Sequence, residues 1–266
     1  VYPLLIFHNE TDEGNGFDAD SIIYFFQQYR PSRVTIVGDT PKVLDALLVA
    51  DYGNMVPGES LGAGLSENQL QRIYISNYLS YWKSFKDIVY VEDNYELALL
   101  ASTYASLINA PLIIEGFNDS VPLEGKNLIC VGNVDAECDE HYSLEGLQRK
   151  YLEETNTDKV ILVNPNDLDI EITENFIPVK SSSSINSLYT KISLAAPILA
   201  GAKHEILIYN SGNEMTSYDS SKVSGLINNI DKDVANTLKD IYAFNNPRYL
   251  TIMASPIAIP DADHDS

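Results

Sequence analysis

Cysteine is almost absent, with only Cys130 and Cys138 in 266 residues. So small a number excludes a disulfide framework of the small secreted kind, and the spacing of the pair matches no common zinc pattern. Three readings of the pair stay open. They are two separate thiols, a local disulfide closing the loop after a strand, which an oxidising compartment allows, or a metal site with Asp139, Glu140 and His141. The last lacks a second ligand pair at tetrahedral spacing. Basic residues are also scarce: 17 Lys and Arg stand against 38 Asp and Glu, a formal charge of -21. That field repels the phosphate backbone of nucleic acid and anionic lipid, which excludes nucleic acid as a partner class. No run of about 18 apolar residues occurs, so no membrane span is expected. The opening Val-Tyr-Pro-Leu-Leu-Ile has neither the basic flank nor the length of a signal peptide.

Catalytic signatures are missing as well. No Gly-x-Gly-x-x-Gly follows the first strand-like run, and Gly62-Ala-Gly64 has no strand before it, so Gly58, Gly62 and Gly64 read as a mobile loop. The four histidines, His8, His141, His204 and His264, stand in no recognised motif with Ser or Cys. The acidic stretch Asp12, Glu13, Asn15, Asp18 and Asp20 lacks the ligand spacing of a calcium-binding hand. Two glycosylation-type triplets, Asn9-Glu-Thr11 and Asn118-Asp-Ser120, are compatible with an exterior location and do not establish one. No catalytic and no metal-ligating residue is assigned.

What is present is a chain able to bury a core, 45% hydrophobic and 21% charged. Short apolar runs at 4–7, 34–37, 88–91, 112–114, 128–131, 160–163, 206–209 and 249–253 alternate with helical periods at 21–29, 41–50, 67–85, 95–108, 143–153, 188–202 and 221–242. Continuous apolar strands alternating with helices predict an α/β fold, here two Rossmann-like three-layer units with mainly parallel sheets. The units are placed at 1–154, with a repeat-like core at 86–134, and at 155–266. The first residue is not Met and the last six are polar, so the sequence reads as a piece of a longer polypeptide whose second unit is truncated at its C-terminus. Residues 100–114 laid over 194–208, a shift of 94, put Leu100 on Leu194 and Leu112-Ile-Ile114 on Ile206-Leu-Ile208. That echo predicts two copies of one strand–helix–strand unit. The second copy carries an insertion, 164–187, read as a flexible surface loop, with a ligand-covering loop as the alternative.

Parallel sheets bind ligands at the carboxyl ends of their strands, and those positions are polar here. The ligand-binding candidates are Asp39, Thr40, Asp93, Asn94, Asn133, Asn164 and Asn210. The same residue types also cap helices and make turns. As a binding rim they suit a polyol or glycan with no cofactor, or Ca²⁺, whose hard charge prefers oxygen ligands.

The segments Val34-Thr-Ile-Val-Gly-Asp39, Ile88-Val-Tyr-Val-Glu-Asp-Asn94 and Ala98-Leu-Leu-Ala101 through Ala110-Pro-Leu-Ile-Ile114 resemble the type 2 cell-wall-binding repeats of bacterial and archaeal surface proteins. Arg72-Ile-Tyr74 and Leu194-Ala-Ala-Pro-Ile198 occupy comparable places. The usual double glycine is Gly38-Asp39 here, and the usual Phe-Pro-Asp-Ala is Tyr95-Glu-Leu-Ala98. At the C-terminus, Arg248-Tyr-Leu-Thr-Ile-Met-Ala-Ser-Pro-Ile-Ala-Ile-Pro260 resembles the strand and turn upstream of the catalytic part of gingipain-like cysteine peptidases, whose His and Cys lie further downstream.

These resemblances imply a non-catalytic module of a secreted or surface-displayed protein, acting in wall or glycan binding, adhesion or scaffolding. Its partners would be a cell-wall or surface glycan, or other domains of the same polypeptide. The alternatives are the upstream region of a gingipain-like peptidase whose His and Cys lie beyond Ser266, and a self-contained hydrolase at the strand-end rim.

Overall fold

Runs of β-branched and aliphatic residues with no polar alternation form the centre of the fold, because a strand covered on both faces has no side that prefers water. The computed structural model describes residues 34–37, 57–61, 67–82, 84–116, 123–172, 178–180, 192–210 and 247–254, with Gln28, Val121, Asn236 and Ile259. The expected strand at 4–7 and the expected helix at 41–50 lie outside the described residues. Those at 21–29 and 221–242 do so except for Gln28 and Asn236, which are helical. The fold is α/β, with helices and parallel sheets.

The chain divides into two compact units, Val1–Tyr81 and Trp82–Ser266. In the first, β1 (Val34–Val37) pairs parallel with β2 (Pro57–Leu61), and helix α1 (Glu67–Ser80) follows. The strand at 57–61 corrects the mobile-loop reading of Gly58, which sits inside it. Proline in the first position of an edge strand gives up no ladder bond that matters there. Helix α1 stops at Ser80, five residues before its expected end.

The second unit opens with β3 (Asp87–Val91), α2 (Tyr95–Ile108), β4 (Leu112–Ile114), β5 (Asn127–Val131), β6 (Glu140–Tyr142) and α3 (Leu144–Thr155). Their strands form one parallel sheet in the order β4-β3-β5-β6. Then come β7 (Lys159–Val163), a 3-10 turn (Pro165–Asp169), β8 (Ile170–Ile172), β9 (Pro178–Lys180), a second 3-10 turn (Ile192–Ala195), α4 (Ala196–Lys203), β10 (Ile206–Tyr209) and β11 (Tyr249–Ile252). Strands β10-β7-β11 make a second parallel sheet. Strands β8 and β9 pair antiparallel, so the insertion read as a flexible loop carries a short hairpin. Of the helix expected at 188–202, residues 188–191 lie outside the described residues, and the rest is a 3-10 turn followed by α4 rather than one helix, since Pro197 offers no N–H to a preceding turn.

Three helices end in a left-handed residue, Asn109 (φ 55), Asn156 (φ 48) and His204 (φ 53), and each turn leads into a parallel strand. The N–H groups of Ala110 and Glu205 reach back five residues to the carbonyls of Ala105 and Ala200, which closes the helix end and aims the next strand. One hydrophobic core contains Val89, Val91 and Val131 from the first sheet, Leu100 from α2, and Ile161, Val163, Leu207 and Ile208 from the second sheet. The anticipated 154/155 boundary falls at the end of α3, and this single core runs across it.

The two sheets repeat one plan. Strand orders β4-β3-β5 and β10-β7-β11 correspond, and Glu115 N–H to Val91 carbonyl is matched by Asn210 N–H to Val163 carbonyl. Asn127 to Lys86 is matched in the same way by Tyr249 to Asp158. Glu115 onto Asn210 is an offset of 95, which corrects the expected 94. Apolar triplets such as Leu-Ile-Ile and Ile-Leu-Ile overlay equally well one residue apart, and only the backbone bonds distinguish the registers.

Candidate functional site

Residues that follow the parallel strands line the carboxyl-end rims, where α/β sheets place ligands. Asp39 and Thr40, expected after β1, lie outside the described residues. On the first sheet's rim, Asp93, Asn94 and Asn133 are exposed. Asn94 caps α2: its backbone is extended and its Oδ1 accepts the N–H of Leu97 at 3.1 Å. Glu92 Oε2 accepts the N–H of Asn133 at 2.8 Å, and Glu115 Oε1 accepts the N–H of Asp135 at 2.7 Å. The ring Nε2 of His141 meets the carbonyl of Gly132. The Glu92 and Glu115 carboxylates are therefore spent on backbone amides of the loop after β5.

Gly132 makes that packing possible. It holds φ +83, and a Cβ there would stand 2.5 Å from both Glu92 Oε2 and Leu97 Cδ1. Only glycine supplies both the conformation and the space.

On the second sheet's rim, Asn164 and Asn210 lie side by side, because they follow the adjacent strands β7 and β10, and both are buried. Asn164 Oδ1 accepts the N–H of Asn166 at 2.9 Å, and its carbonyl accepts the N–H of Asp167 at 3.1 Å. This turn delivers the Asp167 carboxylate to a fully buried position, where it accepts the Ser193 N–H at 2.8 Å and the Ser193 O–H. With its proton committed to the carboxylate, Ser193 Oγ accepts the O–H of Tyr95 at 2.8 Å. Each bond polarises the next.

Tyr95 is the first residue of α2, directly after the first rim, so its bond to Ser193 ties the two rims together. Burial pushes the Tyr95 phenol well above its ordinary value, the Asp167 charge adds to this, and the Ser193 hydrogen bond offsets part of it. Burial also raises Glu96, helped by Glu145, and raises Tyr209, helped by Glu96 and Tyr95. The Tyr95 phenol stays protonated and donates to Ser193 Oγ. Ser193 itself is wholly buried, so its hydroxyl is a latch and not a nucleophile exposed to substrate.

Cys130 and Cys138 form a disulfide, which decides among the three readings of the pair and leaves no thiol on this chain. The bond ties the end of β5 to the residue two before β6. Asp139 strengthens the same corner, its N–H donating to the Leu128 carbonyl at 2.9 Å and its Oδ2 accepting the Leu128 N–H at 2.7 Å. Among the described residues no group of three or more His, Cys, Asp or Glu side chains is gathered to hold a metal ion, and no helix is long and apolar enough to cross a membrane.

Sequence reasoning reached the amides of both rims and missed the contact between them. Asp167 was visible only as an acid inside the insertion, and Ser193 carried no signal, since it meets Tyr95 across 98 positions of chain. Comparison with protein-family models, with curated proteins and with solved structures finds no match to this chain.

Proposed function

We propose that this chain is a non-catalytic α/β module of a secreted or surface-displayed protein, which holds a wall polymer, a surface glycan or neighbouring domains. One observation carries the reading. Five polar side chains at the described strand ends are committed to the fold: Glu92, Glu115, Asn94, Asn164 and Asp167 each hold a backbone N–H. A catalytic rim needs groups free to touch substrate and to change charge during the reaction, and these groups are occupied as braces.

The Cys130–Cys138 disulfide supports the exterior placement, because disulfides persist where the surroundings are oxidising. The repeated parallel strand–helix–strand plan is consistent with the likeness to cell-wall-binding repeats. The charge of -21 argues for a neutral glycan or a basic partner, and for a cation bridge if the polymer is anionic. Under this reading the exposed Asp93 and Asn133 side chains, with the Asn94 amide N–H₂ beside them, are the first surface to offer a hydroxyl-rich ligand a hydrogen bond, and Ca²⁺ is an ion suited to the Asp93 and Asn133 oxygens.

The test is co-sedimentation of the chain with purified wall polymers and neutral polysaccharides, with and without Ca²⁺, beside an assay for hydrolysis of the same polymers and of peptides. Saturable retention without hydrolysis supports the proposal. Turnover that survives repurification and is lost on substitution of a rim residue overturns it.

A further inference from the structure

The disulfide offers two sulfurs to an attacking thiol, and the fold leaves one of them within reach. Cys130 lies inside the first sheet, in register with Tyr90 of β3 on one side and His141 of β6 on the other, and it is 0% exposed. Cys138 lies in the loop between β5 and β6 and is half-buried. Exchange begins when a thiolate touches the sulfur that it attacks. No thiolate reaches Cys130 Sγ unless the sheet opens, whereas Cys138 keeps part of its surface in solvent.

The loop that carries the reachable sulfur is acidic. Residues 132–140 include Asp135, Glu137, Asp139 and Glu140 with no Lys or Arg, and all four acids are exposed. The carboxylates of Glu92 and Glu115 are held against the same loop by the N–H groups of Asn133 and Asp135. Cys138 stands between Glu137 and Asp139 in this field, which reaches about 8 Å at physiological ionic strength. A reagent that carries negative charge beyond that of its thiolate is repelled there, and one that carries a positive group is drawn in.

We propose that Cys138 Sγ is a thiolation site that selects by charge, exchanging with a thiol that bears a positive group and resisting anionic thiols. The incoming thiolate forms a bond to Cys138 Sγ and the Sγ–Sγ bond breaks. Its electron pair goes to Cys130 Sγ, which takes up one proton in place of the one the reagent released. The products are a mixed disulfide on Cys138 and a thiol on Cys130. A thiolate buried among apolar side chains is a poor leaving group, so the step is slow and Cys130 reverses it by attacking the adduct. This reactivity does not depend on what the strand-end rims bind.

The experiment uses the full folded chain at low ionic strength and three two-carbon thiols: 2-aminoethanethiol, which is positive, 2-mercaptoethanol, which is neutral, and 2-mercaptoethanesulfonate, which is negative. Each rate, per thiolate, is divided by the rate of the same thiol with bis(2-hydroxyethyl) disulfide, which removes differences in intrinsic nucleophilicity. The positive thiol should then react at least tenfold faster than the negative one, with the neutral thiol between them. The spread should shrink at least threefold in about 1 M salt, where charges are screened within about 3 Å. It should also shrink at low salt in the variant Asp135→Asn, Glu137→Gln, whose two changes fall on exposed side chains. Acid quench at early times, followed by unfolding and alkylation, should place the reagent on Cys138 and the alkyl group on Cys130 in the peptide masses. Reagent found on Cys130, a spread indifferent to thiol charge, to salt or to the double variant, or one common rate that does not rise with thiol concentration would each overturn the proposal. The last result would mean that the bond reacts only after the chain unfolds.

Discussion

Gly201 and Ser106 occupy the same place in the two copies of the strand–helix–strand plan, and they touch each other. The offset of 95 that matches Glu115 with Asn210 also matches Ser106 with Gly201. A Cβ on Gly201 would stand 3.0 Å from Ser106 Oγ and 3.3 Å from Ser106 Cβ. Equivalent residues meet only near the axis that relates two copies, so α2 and α4 cross at the centre of the repeat. Small side chains at the crossing are what let these two helices come close.

Gly201→Ala should be nearly neutral, since about 1 kcal/mol of helix propensity is gained against a contact that Ser106 must yield to. Gly201→Val should cost about 1 to 3 kcal/mol by overpacking. Chemical denaturation of both variants and of Gly201→Val with Ser106→Gly checks this, and the double variant should recover most of the loss. If the second change restores nothing, the crossing is not what the glycine serves.

Gly132→Ala attacks the first rim. A left-handed alanine costs roughly 1 to 2 kcal/mol, and its Cβ would overlap Glu92 and Leu97 as well. A total of about 3 kcal/mol or more is expected, read as a large fall in the melting temperature. A melting temperature within a degree or two of the parent would contradict the packing described around Glu92.

The parts of this architecture legible in the sequence were those that burial writes into composition. Ile88-Val-Tyr-Val91 and Val160-Ile-Leu-Val163 are apolar throughout because both faces are covered. Strand β6 was missed, since Glu140-His-Tyr142 lies at an edge with two exposed residues and carries no apolar run. Strand β2 was missed because Pro57, Gly58 and Glu59 argue against a strand by propensity, and its pairing with β1 overrides them. For the candidate site, turn chemistry placed Asn94, Asn133, Asn164 and Asn210 at strand ends. It could not reveal whether their neighbours were free or spent, because Glu92 and Asn133 meet across two strands and Tyr95 and Ser193 across two copies.

Alkaline pH should loosen the second unit. Tyr151 is fully buried, and burial, with the nearby Glu205 adding to it, raises its phenol to about 12. The folded value lies above the unfolded one near 10, so the fold favours the neutral phenol. That stabilisation is complete below pH 10, falls as pH rises, and is gone above about 12. It is worth on the order of 2 to 3 kcal/mol. Tyr151→Phe should flatten this alkaline decline. At neutral pH it should be no less stable than the parent, since the hydroxyl is buried without a hydrogen-bond partner among the described residues. Denaturation curves at a series of pH values from neutral to 11 decide it, and an unchanged slope in the variant would assign the decline to other groups.

Reducing the disulfide should release one edge and leave the sheet. The Cys130–Cys138 bond closes a short loop, which restricts the unfolded chain by about 2 to 3 kcal/mol in the loop-entropy account. Beyond that global loss, its local effect falls on β6. Among the described residues β6 pairs only with β5, and the Asp139 bonds to Leu128 stand beside the disulfide as its other anchor. Hydrogen exchange after treatment with a dithiol should therefore quicken at Glu140–Tyr142 well before it quickens at Ile88–Val91, which lies inside the same sheet and has neighbours on both sides. Asp139→Ala in the reduced chain should quicken β6 further, because the carboxylate bond to the Leu128 N–H is then lost along with the disulfide and only the backbone bond to the Leu128 carbonyl is left at the corner. Equal quickening at β3 and β6 would mean that the disulfide supports the whole sheet rather than its edge.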